Sequence, residues 1–260
     1  MNQQEPGVVT FKKKRSSRRL LLRLHQRMYL KKSLFFIPNL FTLGNAFFGF
    51  NSLILAAHGE SVMASYFILF GAILDALDGK LARLIGVTSD FGMQIDSLCD
   101  AVTFIVAPAF LAYITELKDF GAAGFIASSI FVLAGVSRLA RFNVTTQEQS
   151  RYFIGLPSLL AGAFIANLFI IRHSHEALYL PIAPYTPYIV ALLGYLMISP
   201  LRYPSFKHLS KKSYIWASIF IAGCIIGLGL TTVLLSIFLA YIVLGLVMFI
   251  HKKAQTFLTI

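Results

Sequence analysis

The chain has 260 residues, of which 57% are hydrophobic and 13% are charged. This balance excludes an ordinary soluble domain and indicates an integral membrane protein. The formal net charge of +12 suits a protein attracted to an anionic lipid surface, and we expect no nucleic-acid partner.

A basic segment precedes the first apolar run and occupies residues 1–33. It contains ten lysines and arginines between residues 12 and 32, some of them interleaved with leucines. Such a segment can lie on the membrane surface and attract anionic phospholipid. Because it is long and polar, with no early apolar core followed by a cleavage site, we expect no cleavable signal peptide.

Eight apolar runs follow, and most are about as long as a helix needs to cross roughly 30 Å of hydrocarbon. They predict an all-α, polytopic membrane helix bundle of about eight transmembrane helices over residues 34–250, followed by a short tail over 251–260. The last two runs are separated only by GLGLTTV, which allows either a hairpin or one bent span. The runs lie at 34–57, 62–77, 93–115, 121–137, 153–171, 185–199, 214–230 and 232–250.

The lysines and arginines predict the orientation of these helices. With the N-terminus in the cytoplasm and eight alternating spans, 21 of the 23 basic residues lie on the cytoplasmic side. Only Lys118 and Arg172 lie outside, in agreement with the positive-inside rule. We therefore expect both termini in the cytoplasm and a multi-pass protein of the cytoplasmic membrane.

Four aspartates lie near the predicted cytoplasmic ends of the second and third helices. The spacings of Asp75 and Asp78 and of Asp96 and Asp100 place each pair on one helix face, so antiparallel neighbours can direct all four carboxylates into one space. An aspartate within a membrane span costs about 2.5–3.5 kcal/mol, and like charges add repulsion. Two divalent cations would neutralise four carboxylates, and hard oxygen ligands suit Mg²⁺ or Mn²⁺.

The simpler alternative is that these aspartates pair with basic residues at a wet helix end. Lys80 and Arg83 are close in sequence, but two cations cannot neutralise the five acids between residues 75 and 100. The fifth acid, Asp90, is expected to cap the third helix. A metal site is therefore the favoured interpretation of the cluster.

The aspartates belong to a longer pattern. Asp78-Gly79, Ala82-Arg83, Gly92, Asp96 and Asp100 match the D-G-x2-A-R-x8-G-x3-D-x3-D signature, and the chain resembles the CDP-alcohol phosphatidyltransferases. The resemblance implies that an alcohol attacks the phosphorus attached to the diacylglycerol of CDP-diacylglycerol and that CMP leaves. It implies two Mg²⁺ or Mn²⁺ ions and a homodimer.

The same resemblance implies roles for individual residues. Asp75, Asp78 and Asp96 would be metal ligands, and Asp100 would be both a ligand and the base that takes the proton of the alcohol. The residues implied for the nucleotide and its diphosphate are Gly79, Arg83 and Ser89.

Four further blocks resemble the phosphatidylserine synthase branch of the family: IPNLFTLGNAFFGF (37–50), SRLARFN (137–143), GLPS (155–158) and RYPSFK (202–207). The resemblance implies L-serine as the acceptor and a six-helix core with two additional C-terminal helices.

Two groups of polar residues in these blocks are candidates for substrate contacts. The candidates for serine are Arg138, Arg141 and Asn143, although the arginines could instead anchor the fourth helix to headgroups. Asn39, Thr42 and Asn45, at helical spacing, could line the nucleotide pocket or bond neighbouring helices, and we favour the pocket for Asn39 and Thr42.

Two other functions remain open at this stage. A sister transferase could use glycerol 3-phosphate or an inositol phosphate, but its acceptor pocket would need more cations. An ion transporter or channel could use the aspartates as an ion site. The acids gather at one membrane face and no inverted repeat of the cluster is visible, which disfavours transport.

Overall fold

The computed structural model describes residues 39–85, 89–145, 152–204 and 230–258. Across these ranges the chain forms a bundle of eight helices and one short β-ribbon. The basic segment over 1–33 and residues 214–229 of the predicted run at 214–230 lie outside the described residues. The helices are α1 Asn39–Ala57, α2 Ser61–Ile85, α3 Asp90–Thr115, α4 Ala122–Val144, α5 Ser158–Ser174, α6 Glu176–Tyr179, α7 Thr186–Ile198 and α8 Leu230–Leu258.

The all-α part of the predicted fold class is confirmed, because each apolar run within the described ranges contributes a helix. Helices α1 to α4 are long and apolar enough to cross a membrane, whereas α5, α7 and the apolar part of α8 are shorter. Several apolar helices of this kind are consistent with a multi-pass membrane protein. The count of eight spans and the cytoplasmic position of the termini stay predictions. Helix α8 continues past residue 250, so the predicted tail is helical as far as Leu258.

Helix α5 forms the centre of the bundle, and every residue from Ala161 to Ile171 is buried. It packs against α2, α3 and α8, while α4 and α7 pack along each other. Because α5 is surrounded by protein, its length need not match the thickness of the hydrocarbon. Its start differs from the prediction: the apolar run begins at residue 153, whereas the helix begins at Ser158. Pro157 disfavours helical geometry in the residue before it.

The residues before α5 form half of a β-ribbon that the sequence did not predict. Strand β1, Tyr152–Ile154, pairs antiparallel with β2, Arg202–Pro204, and Phe153 lies opposite Tyr203. After β1 the chain turns at Gly155, where φ is +79°, a value that glycine adopts at little steric cost. The ring of Tyr203 stacks on Tyr241 of α8 with 5.2 Å between centroids, which attaches the ribbon to the last helix.

Helix α3 widens into a π-helical segment, Ala101–Val106, immediately after Asp100. Four neighbouring helices approach this segment through glycines, and a Cβ added at any of these glycines would overlap atoms of Thr103, Phe104 or Ile105. Such close contacts on four sides fix the position of α3 along its axis relative to the rest of the bundle. The glycines are Gly49 of α1, Gly71 of α2, Gly135 of α4 and Gly162 of α5.

A buried polar network joins the C-terminal ends of α3 and α5, at the end of the bundle away from Asp96 and Asp100. The hydroxyl group of Tyr179 donates a hydrogen bond to Glu116, and Thr186 Oγ1 lies 3.3 Å from the same hydroxyl group. Arg172 pairs with Glu116 at 4.0 Å and donates to the carbonyl oxygen of Thr115 at 3.3 Å. The buried Glu116 is thereby both paired and hydrogen-bonded, as a buried acid requires.

Candidate active site

Helices α2 and α3 bring the predicted aspartates together at one end of the bundle. Carboxylate oxygens of Asp75, Asp78 and Asp96 lie within 4.8 Å of one another. Asp100 lies one helical turn after Asp96 on α3, near enough to Asp75, Asp78 and Asp96 for its charge to interact with theirs. The helical spacing of each pair directs both members toward the opposite helix, as the sequence predicted.

No described lysine or arginine lies close enough to the cluster to form an ion pair with it. Asp78 is buried, the other three aspartates are half-buried, and none of them forms an ion pair with a described lysine or arginine. The side chain of Lys80 is exposed to solvent, and the side chain of Arg83 lies outside the described part of the structure. Pairing with Lys80 therefore does not account for the cluster.

The donor set of the cluster fits a divalent cation. Three carboxylates supply hard oxygen ligands of the kind that Mg²⁺ and Mn²⁺ prefer. Oδ1 of Asp96 is buried and has no hydrogen-bond partner among the described atoms, so it is free to coordinate an ion. Asp75, Asp78 and Asp96 could therefore hold a metal.

Helix α1 contributes hydrogen-bond donors to the cluster. Thr42 Oγ1 donates to Asp78 Oδ2 at 2.7 Å, and Asn45 Nδ2 donates to Asp100 Oδ1 at 3.1 Å. The sequence allowed these residues either to line the nucleotide pocket or to bond neighbouring helices, and the structure displays bonds to neighbouring helices. For Asn45 the sequence leaves both uses open, and its hydrogen bond to Asp100 is a contact between neighbouring helices.

The N-terminus of α3 adjoins the cluster, and its cap differs from the prediction. Ser89, not Asp90, is the N-cap residue: its Oγ accepts a hydrogen bond from the backbone N–H of Gly92 at 3.0 Å. Asp90 is the first helical residue, where a negative charge interacts favourably with the helix dipole. Asn39 lies beside this turn, since a Cβ added at Gly92 would be 3.6 Å from Asn39 Oδ1. The predicted nucleotide residues Asn39 and Ser89 are thus neighbours.

Residues 35–258 match the family model described as CDP-alcohol phosphatidyltransferase. The chain belongs to the CDP-alcohol phosphatidyltransferase family. It is 38% identical over 192 residues to CDP-diacylglycerol–serine O-phosphatidyltransferase of Helicobacter pylori, covering 73% of this chain and 81% of that protein. The enzyme of the same name from Bacillus subtilis is 33% identical over 178 residues, covering 66% of this chain and 92% of the relative.

An archaeal relative has a different lipid in its name. Archaetidylserine synthase of Methanothermobacter thermautotrophicus is 33% identical over 170 residues, covering 65% of this chain and 69% of that protein. The names of all three relatives contain serine, whereas the name of the lipid differs.

The three serine candidates of this CDP-alcohol phosphatidyltransferase lie on α4 but have different surroundings. Arg138 is buried, and its Nη1 donates to Ser158 Oγ at 3.2 Å. Its Nε is buried without a hydrogen-bond partner among the described atoms, and its charge interacts with that of Asp100. Of the three candidates, Arg138 combines an available donor with proximity to the aspartate cluster.

The other two candidates are already bonded to neighbouring elements. Arg141 donates to the carbonyl oxygens of Ile154 at 3.0 Å and of Met197 and Ile198 at 3.3 Å, so it joins α4 to β1 and α7. Asn143 is exposed and accepts a hydrogen bond from Ser97 Oγ at 2.8 Å. The contact of Asn143 joins α4 to the turn of α3 that carries Asp96. The contacts of Arg141 and Asn143 therefore indicate that both residues support the position of α4.

Proposed function

We propose that this protein transfers the phosphatidyl group of CDP-diacylglycerol to the hydroxyl group of L-serine, giving phosphatidylserine and CMP. The observation that carries the proposal is the meeting of three carboxylates beside Asp100, with the buried guanidinium of Arg138 near enough for its charge to interact with that of Asp100. Membership of the family and the names of the relatives support the same reaction.

The proposed reaction is a displacement at the phosphorus that carries the diacylglycerol. A bond forms between the serine hydroxyl oxygen and this phosphorus, and the bond from phosphorus to the oxygen of the leaving CMP breaks. CMP departs with the electron pair of the broken bond, and Asp100 takes the proton of the hydroxyl group. Asn45 holds Asp100 by a hydrogen bond to Oδ1, and the other carboxylate oxygen, Oδ2, is proposed to receive that proton.

Two divalent ions, Mg²⁺ or Mn²⁺, are proposed at Asp75, Asp78, Asp96 and Asp100. Bound there, they would neutralise the diphosphate and stabilise negative charge on the displaced oxygen. The four carboxylates would bind the ions, and the hydrogen-bond donors of α1 would orient two of these carboxylates: Thr42 holds Asp78, and Asn45 holds Asp100.

The two substrates are proposed to occupy opposite sides of the aspartate cluster. Gly79, Arg83 and Ser89, together with Asn39 and Thr42, are proposed to bind the CDP portion of the lipid. On the other side, Arg138 is proposed to bind the serine carboxylate, with Arg141 and Asn143 holding α4 in place. A buried guanidinium with an unbonded N–H suits a carboxylate, because both groups then gain a charge-assisted hydrogen bond.

The setting of the reaction is also proposed. The protein would cross the cytoplasmic membrane about eight times with both termini in the cytoplasm and the aspartates at the cytoplasmic face. Residues 1–33 would lie on phospholipid, residues 34–250 would form the catalytic domain, and the chain would assemble as a homodimer. In this proposed orientation the site would lie at headgroup depth, where CDP-diacylglycerol presents its diphosphate.

The test is release of CMP by the purified protein. The protein in detergent with Mn²⁺ and CDP-diacylglycerol is incubated separately with L-serine, glycerol 3-phosphate and an inositol phosphate. We expect release of CMP and formation of phosphatidylserine only in the incubation that contains L-serine. Equal or faster CMP release with one of the phosphorylated alcohols would overturn serine as the acceptor, and no CMP release with any alcohol would overturn the transferase assignment.

A further inference from the structure

Asn45 of α1 is fully buried between the two helices that carry the carboxylates. Its Nδ2 donates to Asp100 Oδ1 of α3 at 3.1 Å. On its other side it faces Gly71 of α2, where an added Cβ would lie 2.9 Å from Asn45 Oδ1. Gly71 is one helical turn before Asp75. The side-chain amide of Asn45 therefore lies against both α2, which carries Asp75 and Asp78, and α3, which carries Asp96 and Asp100.

Thr103 attaches the following turn of α3 to the same residue of α1. Its Oγ1 donates to the backbone carbonyl oxygen of Asn45 at 3.0 Å. A Cβ added at Gly71 would lie 2.6 Å from Thr103 Cγ2. Asn45 is therefore bonded to α3 twice: its side chain holds Asp100, and its backbone accepts from Thr103.

These contacts coincide with the π-helical segment, which begins one residue after Asp100 and contains Thr103. A π-helical turn includes an extra residue, so the side chains before and after it face directions that a regular α-helix would not provide. The hydrogen bonds of Asn45 attach α3 to α1 on both sides of the start of this wider turn, at Asp100 and at Thr103.

We propose that Asn45 and Thr103 are positioning residues for Asp100: together they fix its carboxylate relative to Asp75 and the remaining aspartates. The inference rests on the proposed transferase reaction, in which Asp100 receives the proton of the acceptor. Neither residue touches the reacting atoms in this assignment, so both act through Asp100.

Replacement of Asn45 tests this role through its kinetic signature. Asn45→Ala and Asn45→Leu both remove the donor, and Leu restores most of the volume. We expect kcat for CMP release to fall about tenfold or more in both variants, while KM for CDP-diacylglycerol changes by less than about threefold. Recovery of kcat in Asn45→Leu would show that Asn45 only fills space and would overturn the proposal.

A double-variant comparison asks whether Asn45 acts through Asp100. If it does, adding Asn45→Ala to Asp100→Asn should lower kcat by less than about twofold beyond Asp100→Asn alone, because the group that Asn45 positions has already lost its function. An independent, multiplicative loss in the double variant would overturn the proposal.

Thr103 provides a second approach that leaves the side chain of Asn45 intact, in case Asn45 variants do not fold. Thr103→Val is isosteric and removes the hydrogen bond to Asn45, whereas Thr103→Ser retains it. We expect a loss of kcat in Thr103→Val and near wild-type kcat in Thr103→Ser. Equal rates in the two variants would contradict the positioning role of Thr103.

A binding measurement separates this inference from the proposed function. Mn²⁺ binding by the full-length protein, followed by electron paramagnetic resonance, needs no turnover. We expect Asn45→Ala to weaken Mn²⁺ binding about tenfold, because a misdirected Asp100 no longer supports the neighbouring carboxylates. Unchanged Mn²⁺ binding would overturn the inference, whereas absence of CMP release by the wild-type protein would overturn the proposed reaction alone.

Discussion

The hydroxyl group of Thr42 lies 2.7 Å from Oδ2 of Asp78, so a helix without any carboxylate of its own orients the buried member of the cluster. A hydrogen bond to a charged group contributes about 1.5–3 kcal/mol. We expect Thr42→Val, which keeps the shape and removes the donor, to lower kcat/KM about tenfold or more. Thr42→Ser, which keeps the donor, should retain most of the activity. Similar CMP release by the two variants would contradict a role for this hydrogen bond.

The carboxylate cluster predicts an absolute requirement for a divalent metal. We expect excess chelator to abolish CMP release and added Mg²⁺ or Mn²⁺ to restore it. Asp75→Asn, Asp78→Asn and Asp96→Asn should each abolish turnover while the protein still inserts into membranes, because each loses a charged oxygen ligand. CMP release is measured against metal concentration, and membrane insertion is followed by fractionation. Full activity in excess chelator would contradict the metal site.

Asp100 is expected to differ in kind from the other three aspartates. Asp100→Asn keeps the shape and one coordinating oxygen but cannot take a proton. We therefore expect binding of CDP-diacylglycerol to persist largely while kcat falls about 10²-fold or more, the scale of general-base catalysis. Binding and turnover are measured on the same preparation. Loss of nucleotide binding would indicate that Asp100 is chiefly a structural ligand, and wild-type kinetics would remove it from the mechanism.

The two arginines of α4 should separate into a substrate contact and a structural contact. Arg138→Gln removes the charge proposed for the serine carboxylate, and we expect KM for serine to rise about tenfold or more with little change in KM for CDP-diacylglycerol. Arg141→Gln breaks hydrogen bonds to three carbonyl oxygens. It should therefore lower the thermal midpoint Tm and leave KM for serine near the wild-type value. A raised KM for serine in Arg141→Gln, together with a lowered Tm and unchanged KM in Arg138→Gln, would show that Arg141 contacts serine and Arg138 is structural.

The network around Glu116 should affect stability and not chemistry, because it lies at the other end of the bundle from the aspartates. Tyr179→Phe removes the hydrogen bond to the buried Glu116. We expect the free energy of unfolding to fall by about 1.5–3 kcal/mol, the contribution of a hydrogen bond to a charged group. KM for both substrates should remain unchanged. Thermal unfolding and steady-state kinetics on the same variant provide the check, and an altered KM for serine would contradict it.

Much of the candidate site was predictable because its residues lie at helical spacing. Asp75 and Asp78 share one face of α2 whatever the packing, so their contribution to a common site follows from local geometry. The prediction that Asp90 caps α3 is wrong, because Ser89 and Asp90 are both good N-cap residues and sequence alone does not choose between adjacent positions. The ribbon at β1 was missed because strands of three residues have too little alternation to stand out within an apolar run.

By itself, the sequence determined the membrane class, the helical fold and the identity of the carboxylates that meet, since composition and helical period depend only on local chemistry. Only the tertiary structure decided which side chains of α1 hold which carboxylate, and that Arg138 lies near Asp100 whereas Arg141 is bonded to backbone carbonyls. Thr42 and Asp78 are 36 residues apart in the chain, and Asn45 and Asp100 are 55 apart. Contacts at such separations depend on how far each helix is shifted and rotated against its neighbours, which here is set by the glycine contacts around the π-helical turn of α3.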